Sequence, residues 1–275
     1  MADRYIMVGA APALVVGDIT DAGAVGEAIV QAETAAEVLA ELGVSGDPGL
    51  PASGLVALWR ASSLSLADGD PVATWAPASG SPGSLTGSGS ARPTYRATGS
   101  PSGGPCVEFD GSDDYLSLET PAGLPDGADA GTLVALVARC PAGGSGYDHL
   151  VQFGAAANLG ARGLAYAGDQ WVTVDWASNL AGESTSPRTA AAVVLGHSYD
   201  GTTRRLWLDG NPIARDTPSL ATGTTRLVVG RNLTGGYGGE HAAFRLVFVA
   251  IYSTVLTDAQ WAQVMEHARI AHGVR

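Results

Sequence analysis

Five Asp-Gly pairs, at Asp68, Asp110, Asp126, Asp200 and Asp209, punctuate the chain beyond residue 50. Such a pair reverses a chain at little cost, because glycine takes positive φ freely and the Asp side chain bonds to the backbone just ahead of it. Between the turns lie short runs rich in β-branched and aromatic residues: Leu55–Trp59, Cys106–Phe109, Thr132–Ala138, His149–Phe153, Trp171–Trp176, Ala191–Leu195, Arg205–Leu208, Arg226–Val229 and Ala243–Tyr252. Strands this short, separated by Gly, Pro, Ser and Asp clusters, predict an all-β sandwich over residues 51–275. The Gly/Ser/Pro-rich stretch Pro77–Ser102 reads as a long surface loop.

Two helical patterns frame this region. Thr257-Asp258-Ala259-Gln260 has capping-box spacing, and Trp261, Val264, Met265 and Ala268 follow as an apolar stripe, so a C-terminal helix is predicted. Residues 1–50 differ in character. An apolar stretch at Tyr5–Val8 suits a strand. Thr34-Ala35-Ala36-Glu37 caps a short helix that carries Val38, Leu39 and Leu42 and stops at Gly43. A helix of that length is not stable alone, so it predicts packing on the main domain or on a neighbouring subunit. Gly46–Pro51 reads as a linker, dividing an N-terminal arm (1–50) from the sandwich (51–275).

Charge narrows the function. With 27 acidic and 15 basic residues the net charge is −12, and every basic residue is Arg. Such a chain repels phosphate, which argues against a nucleic-acid partner. No apolar run reaches the roughly 18 residues of a membrane span, so no membrane insertion is expected. Pro12 interrupts the apolar Tyr5–Val16 stretch and Asp3 offsets Arg4, a pattern unlike a secretory signal. Cys106 and Cys140 are too few for a disulfide scaffold; a single bridge is one reading, and two buried thiols is the expected one.

The order of motifs resembles a known family. Val56-Ala57-Leu58-Trp59 with Gly69–Trp75, then Val107–Leu116, Ser198–Gly201 with Leu206–Gly210, Leu227–Gly230, and Ile251-Tyr252 with Val255–Gln260 are similar to the laminin-G-like, concanavalin A-like jelly rolls across residues 53–273. The resemblance implies a jelly-roll β-sandwich, a fold that hosts lectins, glycanases and structural modules alike. It also places Trp59, Trp75 and Trp207 in the packing. Ile19–Gly26 and Thr34–Gly43 resemble segments of bacteriophage fibre and other virion-surface proteins. That implies a capsid decoration or head or tail fibre, often a homotrimer, attached to other virion proteins through residues 1–50 and located at the virion surface.

Three candidate chemistries follow. Glu108-Phe109-Asp110 is similar to the start of the Glu-x-Asp-x-Glu strand of retaining glucanases, but the second Glu is missing and Asp110-Gly111-Ser112 reads as a turn. No catalytic residue is assigned, and no enzyme is expected. Asp110, Asp113 and Asp114 supply hard oxygens that suit Ca²⁺, or else cap the backbone of a solvated turn; no other cofactor is implied. A glycan would need an aromatic platform beside polar groups, for which Trp171, Trp176, Tyr237 and His241 are the candidates, with Asn179 and Asn232 nearby in sequence. On a regular strand Trp171 and Trp176 face opposite sides, one core and one exposed, unless a bulge intervenes. The expectation is a non-enzymatic virion-surface protein displaying a lectin-like jelly roll. A free carbohydrate-binding module and a secreted glycan hydrolase are the alternatives.

Overall fold

The computed structural model describes residues 5–6, 14–15, 49–139, 146–182, 192–235 and 241–274. The chain divides into two compact units, Met1–Pro48 and Gly49–Arg275. In the first, β1 (Tyr5–Ile6) and β2 (Leu14–Val15) form an antiparallel ladder. The expected helix at 34–43 lies outside the described residues, as does Cys140.

The second unit is an antiparallel β-sandwich. Its strands are β3 (Leu55–Arg60), β4 (Thr74–Trp75), β5 (Ser79–Gly80), β6 (Leu85–Thr86), β7 (Thr94–Arg96), β8 (Cys106–Asp110), β9 (Leu116–Glu119), β10 (Gly131–Arg139), β11 (Tyr147–Gly154), β12 (Ala161–Ala167), β13 (Gln170–Thr173), β14 (Leu180–Ala181), β15 (Val193–Tyr199), β16 (Arg204–Leu208), β17 (Asn211–Asp216), β18 (Arg226–Val229) and β19 (Ala243–Tyr252). One sheet runs β17-β16-β15-β10-β19-β3-β5, with β8 also on β19 and β7 on β8. The other runs β14-β13-β12-β11-β18-β9-β6-β4. The expected all-β fold stands, and each glycine of the five Asp-Gly pairs takes positive φ.

Alternation fills the space between the sheets. From the first sheet come Trp59, Phe109, Leu133, Leu206, Phe244 and Ile251, and from the second Trp75, Phe153, Leu164, Tyr166, Trp171 and Leu227. Phe109 and Phe244 stack at 4.6 Å. The ladder slips by one residue between β10 and β19, which leaves Val247 unpaired and puts both Val247 and Phe248 on the outer face.

That outer face is roofed by α1 (Asp258–His272). Its capping box forms as the sequence predicts, with the Thr257 side chain accepting from the Gln260 N–H and the Gln260 side chain accepting from the Thr257 N–H. Gly273 closes the helix in the left-handed conformation. Trp261, Val264 and Ala268 are buried on Val134, Val194, Trp207 and Phe248, whereas Met265 is only partly buried. Trp207 and Trp261 stack at 4.7 Å.

Two expectations need correction. Pro77–Ser102 is not one loop, since β5, β6 and β7 lie within it as short strands that finish both sheets. The strand expected at Trp171–Trp176 ends at Thr173. Strands β9, β12 and β17 were not marked by composition; β12, Ala161–Ala167, has too few β-branched residues to signal itself.

Gly196 sits beneath the Trp261 ring, and a Cβ there would overlap it. Gly196→Ala should therefore lower stability by about 1–3 kcal/mol through overpacking. Urea unfolding of the variant against the parent chain checks it.

Candidate functional site

With α1 over the nine-stranded sheet, the outer face of the eight-stranded sheet is where a site is built. Tyr147 and His149 stand at the start of β11, and their rings lie 6.0 Å apart. Val174, Trp176, Ala177 and Asn179 come from the segment after β13, and Asn232 from the turn after β18. Together these residues line a concavity of about 220 Å³.

Its two rims share one support. Gln152 alternates with the core residues Val151 and Phe153, so it points outward, yet it is fully buried. Its amide donates to the Val174 carbonyl at 3.1 Å and accepts from the Leu233 N–H at 3.2 Å. One side chain thus fastens both the segment after β13 and the turn after β18.

The β13 segment is held from below as well. Asp175 turns inward between the sheets, where it, His197 and Arg204 have fully buried side chains. Its carboxylate meets His197 Nε2 at 2.9 Å, Arg204 and the Thr173 hydroxyl. Arg204 continues to Asp216 and donates to the Ser178 carbonyl. Burial pushes the Asp175 carboxyl up, but His197, Arg204 and Thr173 outweigh it and hold it below the usual carboxylate range. Through Asp175, His197 on β15 joins the two sheets.

Pinned at Asp175 and Ser178, the chain between them adopts a costly conformation. Trp176 and Ala177 have φ of 61° and 64°, two consecutive non-glycine residues in the left-handed region. Each costs on the order of 1 kcal/mol or more, a strain that persists only where the surroundings over-determine it. The result lifts Trp176 out of strand alternation. Its ring rests half-buried on Ala161, Val228 and Leu233, while Ala177 and Asn179 are exposed.

The sequence candidates separate here. Trp176 lines the site with Asn179 and Asn232. Trp171 does not: it is 4 % exposed and packs edge-on against Tyr166 at 4.7 Å between the sheets. His241 adjoins the site, forming a β-bridge to His149 and lying 6.5 Å from Tyr115. Tyr237 lies outside the described residues. Tyr147 and His149 were missed, because nothing in their strand's sequence shows which of its residues face outward. Burial lowers the His149 pKa to about 4, so the ring is neutral at pH 7.

Asp110, Asp113 and Asp114 do converge, with ligand oxygens within 4.8 Å of one another. Each is already engaged. Asp110 Oδ1 accepts from the Ser112 N–H, Asp113 from the Ser90 hydroxyl, and Asp114 Oδ2 from the Asp110 N–H. With one oxygen from each, three carboxylates supply about half the six to eight oxygens that calcium takes. Glu108 lines one cleft with Asp110 and Asp114, but its carboxylate is paired with Arg96 and Arg245. Burial would raise its pKa, but the two guanidinium groups outweigh burial and lower it, the opposite of what a general acid needs.

No protein-family model matches the sequence, and no curated protein matches it to a meaningful degree. Solved structures do match. Domain 4 of AbnA, an extracellular arabinanase of Geobacillus stearothermophilus held with arabinotriose, superposes with a TM-score of 0.57 at 16% identity, covering 78% of this chain and 98% of that one. The binding domain of Paraclostridial Mosquitocidal Protein 1 gives 0.56 at 11% identity, over 77% of this chain and 52% of that one. Trypanosoma rangeli sialidase with sialic acid gives 0.55 at 15% identity, over 78% of this chain and only 33% of that one.

Two predictions test these buried charged groups. Asp175→Asn and Arg204→Met each strand a buried partner, so each should cost about 3–5 kcal/mol in urea unfolding. Asp114, 6 % exposed, has its pKa raised to about 6 by burial and by Asp110 and Asp113. A carboxyl raised on folding favours the native state below its unfolded pKa, and that contribution is lost as pH rises through about 6. Asp114→Asn should thus gain about 1–3 kcal/mol over the parent chain at pH 8 and nothing near pH 3.5.

These structural likenesses, all below 25% identity, establish the architecture of the second unit, a jelly-roll β-sandwich.

Proposed function

We propose that the chain is a non-catalytic glycan-binding module whose site is the concavity at Trp176. The observation that carries the reading is the strained Trp176–Ala177 pair. It sets a half-buried indole beside Asn179 and Asn232, the combination of apolar platform and polar rim that a sugar needs. Support comes from neighbours of the same architecture, of which one is held with arabinotriose and another is a binding domain. The commitment of Glu108 to two arginines supports the non-catalytic part.

Trp176→Ala should abolish oligosaccharide binding, measured by saturation-transfer NMR, and leave the unfolding midpoint within a few degrees. Turnover of a polysaccharide panel that disappears in Glu108→Gln would instead favour a glycan hydrolase. The reading requires no cofactor. A calcium ion at Asp110, Asp113 and Asp114 would show as a calcium-dependent rise in Tm that Asp114→Asn removes.

The finer proposal is display on a virion surface as a homotrimer, with the N-terminal unit as the attachment device. Supporting it are the virion-like segments Ile19–Gly26 and Thr34–Gly43 and the division of the chain at Pro48. Light scattering on the full chain should give three times the chain mass; a monomer would remove the trimer.

A further inference from the structure

From the chemistry of the lining, we infer that the Trp176 site takes a neutral sugar unit and discriminates against sialic acids and uronic acids. This rests on the glycan-binding reading and names its ligand class.

The first observation is a fixed donor. Asn232 is 2 % exposed, and its side-chain oxygen accepts from the Thr234 N–H at 3.0 Å, the Thr234 hydroxyl at 3.2 Å and the Gly235 N–H at 2.6 Å. Two backbone N–H groups require the oxygen on that side, so the amide cannot flip. Among the described residues its Nδ2 has no acceptor, and the residue lines the concavity. What Asn232 offers a ligand is the NH2 group of its fixed amide, two N–H donors held in one orientation. A sugar hydroxyl can accept from it in place of water.

The second observation concerns charge. Apart from His149, whose ring burial keeps neutral, the described lining holds no acidic or basic side chain. Among the described residues no cation stands in this lining. Arg231, the sequence neighbour of Asn232, is stacked on the Tyr115 ring, its guanidinium carbon 3.3 Å from the centroid. A carboxylated sugar would therefore desolvate its anion with no charged partner among the described lining residues, in a chain of net charge −12. A neutral ring meets an indole, an imidazole and two amides, which suit hydroxyls without demanding charge. A volume of about 220 Å³ is below the usual range for drug-sized ligands, which suits one sugar ring.

The experiment uses the full chain with matched neutral and acidic probes, lactose against 3′-sialyllactose and galactobiose against digalacturonate, beside arabino-, gluco- and manno-oligosaccharides, titrated by NMR. The expected result is binding of at least one neutral probe, with its acidic counterpart about tenfold weaker or worse. Asn232→Asp keeps the oxygen that Thr234 and Gly235 need but replaces the donor with a second oxygen, and should weaken the neutral probe by about tenfold. Should that variant not fold, Asn179→Asp, at an exposed position, brings an anion to the same rim and should weaken it too. Acidic probes that bind as well as neutral ones, and lose binding in Trp176→Ala, would overturn the inference and leave the glycan-binding reading intact. Binding that ignores Trp176→Ala and both Asn variants would remove this site from both. No binding by any probe would overturn both.

Discussion

The Asp175–Arg204 pair is the interaction on which the face that carries the Trp176 concavity depends. Two full charges between sheets are expensive to desolvate, and their attraction offsets that cost only when the remaining hydrogen-bonding capacity is used. Here it is used: Asp175 also holds His197 and Thr173, and Arg204 also holds Asp216 and Ser178. A hydrophobic replacement of similar volume could hold the sheets together. It could not grip the chain on both sides of Trp176, which the carboxylate does at 175 and the guanidinium at 178.

From that grip the rest follows in order. A segment fixed at two points three residues apart, after a strand that stops at Thr173, has to turn within Trp176 and Ala177. The turn puts both residues in the left-handed region and brings the indole out of the alternation that would otherwise bury it or expose it fully. Gln152 then ties this raised segment to the turn that carries Asn232. The face is shaped by buried polar groups, whereas the opposite sheet is covered by apolar packing under α1. One sandwich thus uses two different kinds of interaction on its two outer surfaces.

What could be read in advance divides along the same line. The sandwich was legible because its signals are local: Asp-Gly turns, short β-branched runs, and a capping box at Thr257 that forms as written. Trp176 and Asn232 could be named as candidates from residue type alone. Their convergence could not, because it depends on a register shift in β11 between His149 and Val151, which sets Tyr147 and His149 outward, and on a contact from Arg204 across to Ser178. Trp171 misled for the converse reason. Its spacing from Trp176 fits a strand that continues, and the strand does not. The short strands β5 and β6 within Pro77–Ser102 are not legible in the sequence because two-residue strands carry no periodicity.

The small volume of the concavity has a consequence for how such a module can work. A single sugar ring of about 12 heavy atoms, at about −0.3 kcal/mol per atom, gives roughly −4 kcal/mol, a millimolar dissociation constant. Contact that weak opens and closes quickly and does not hold a cell surface or a polysaccharide by itself. If the module binds glycan as proposed, useful adhesion would come from effective concentration: copies fixed at spacings that match a repeating glycan would turn each later attachment into an intramolecular event, with gains of about 10²–10⁴. The geometry of the array, more than the chemistry of any one site, would decide which surfaces are retained.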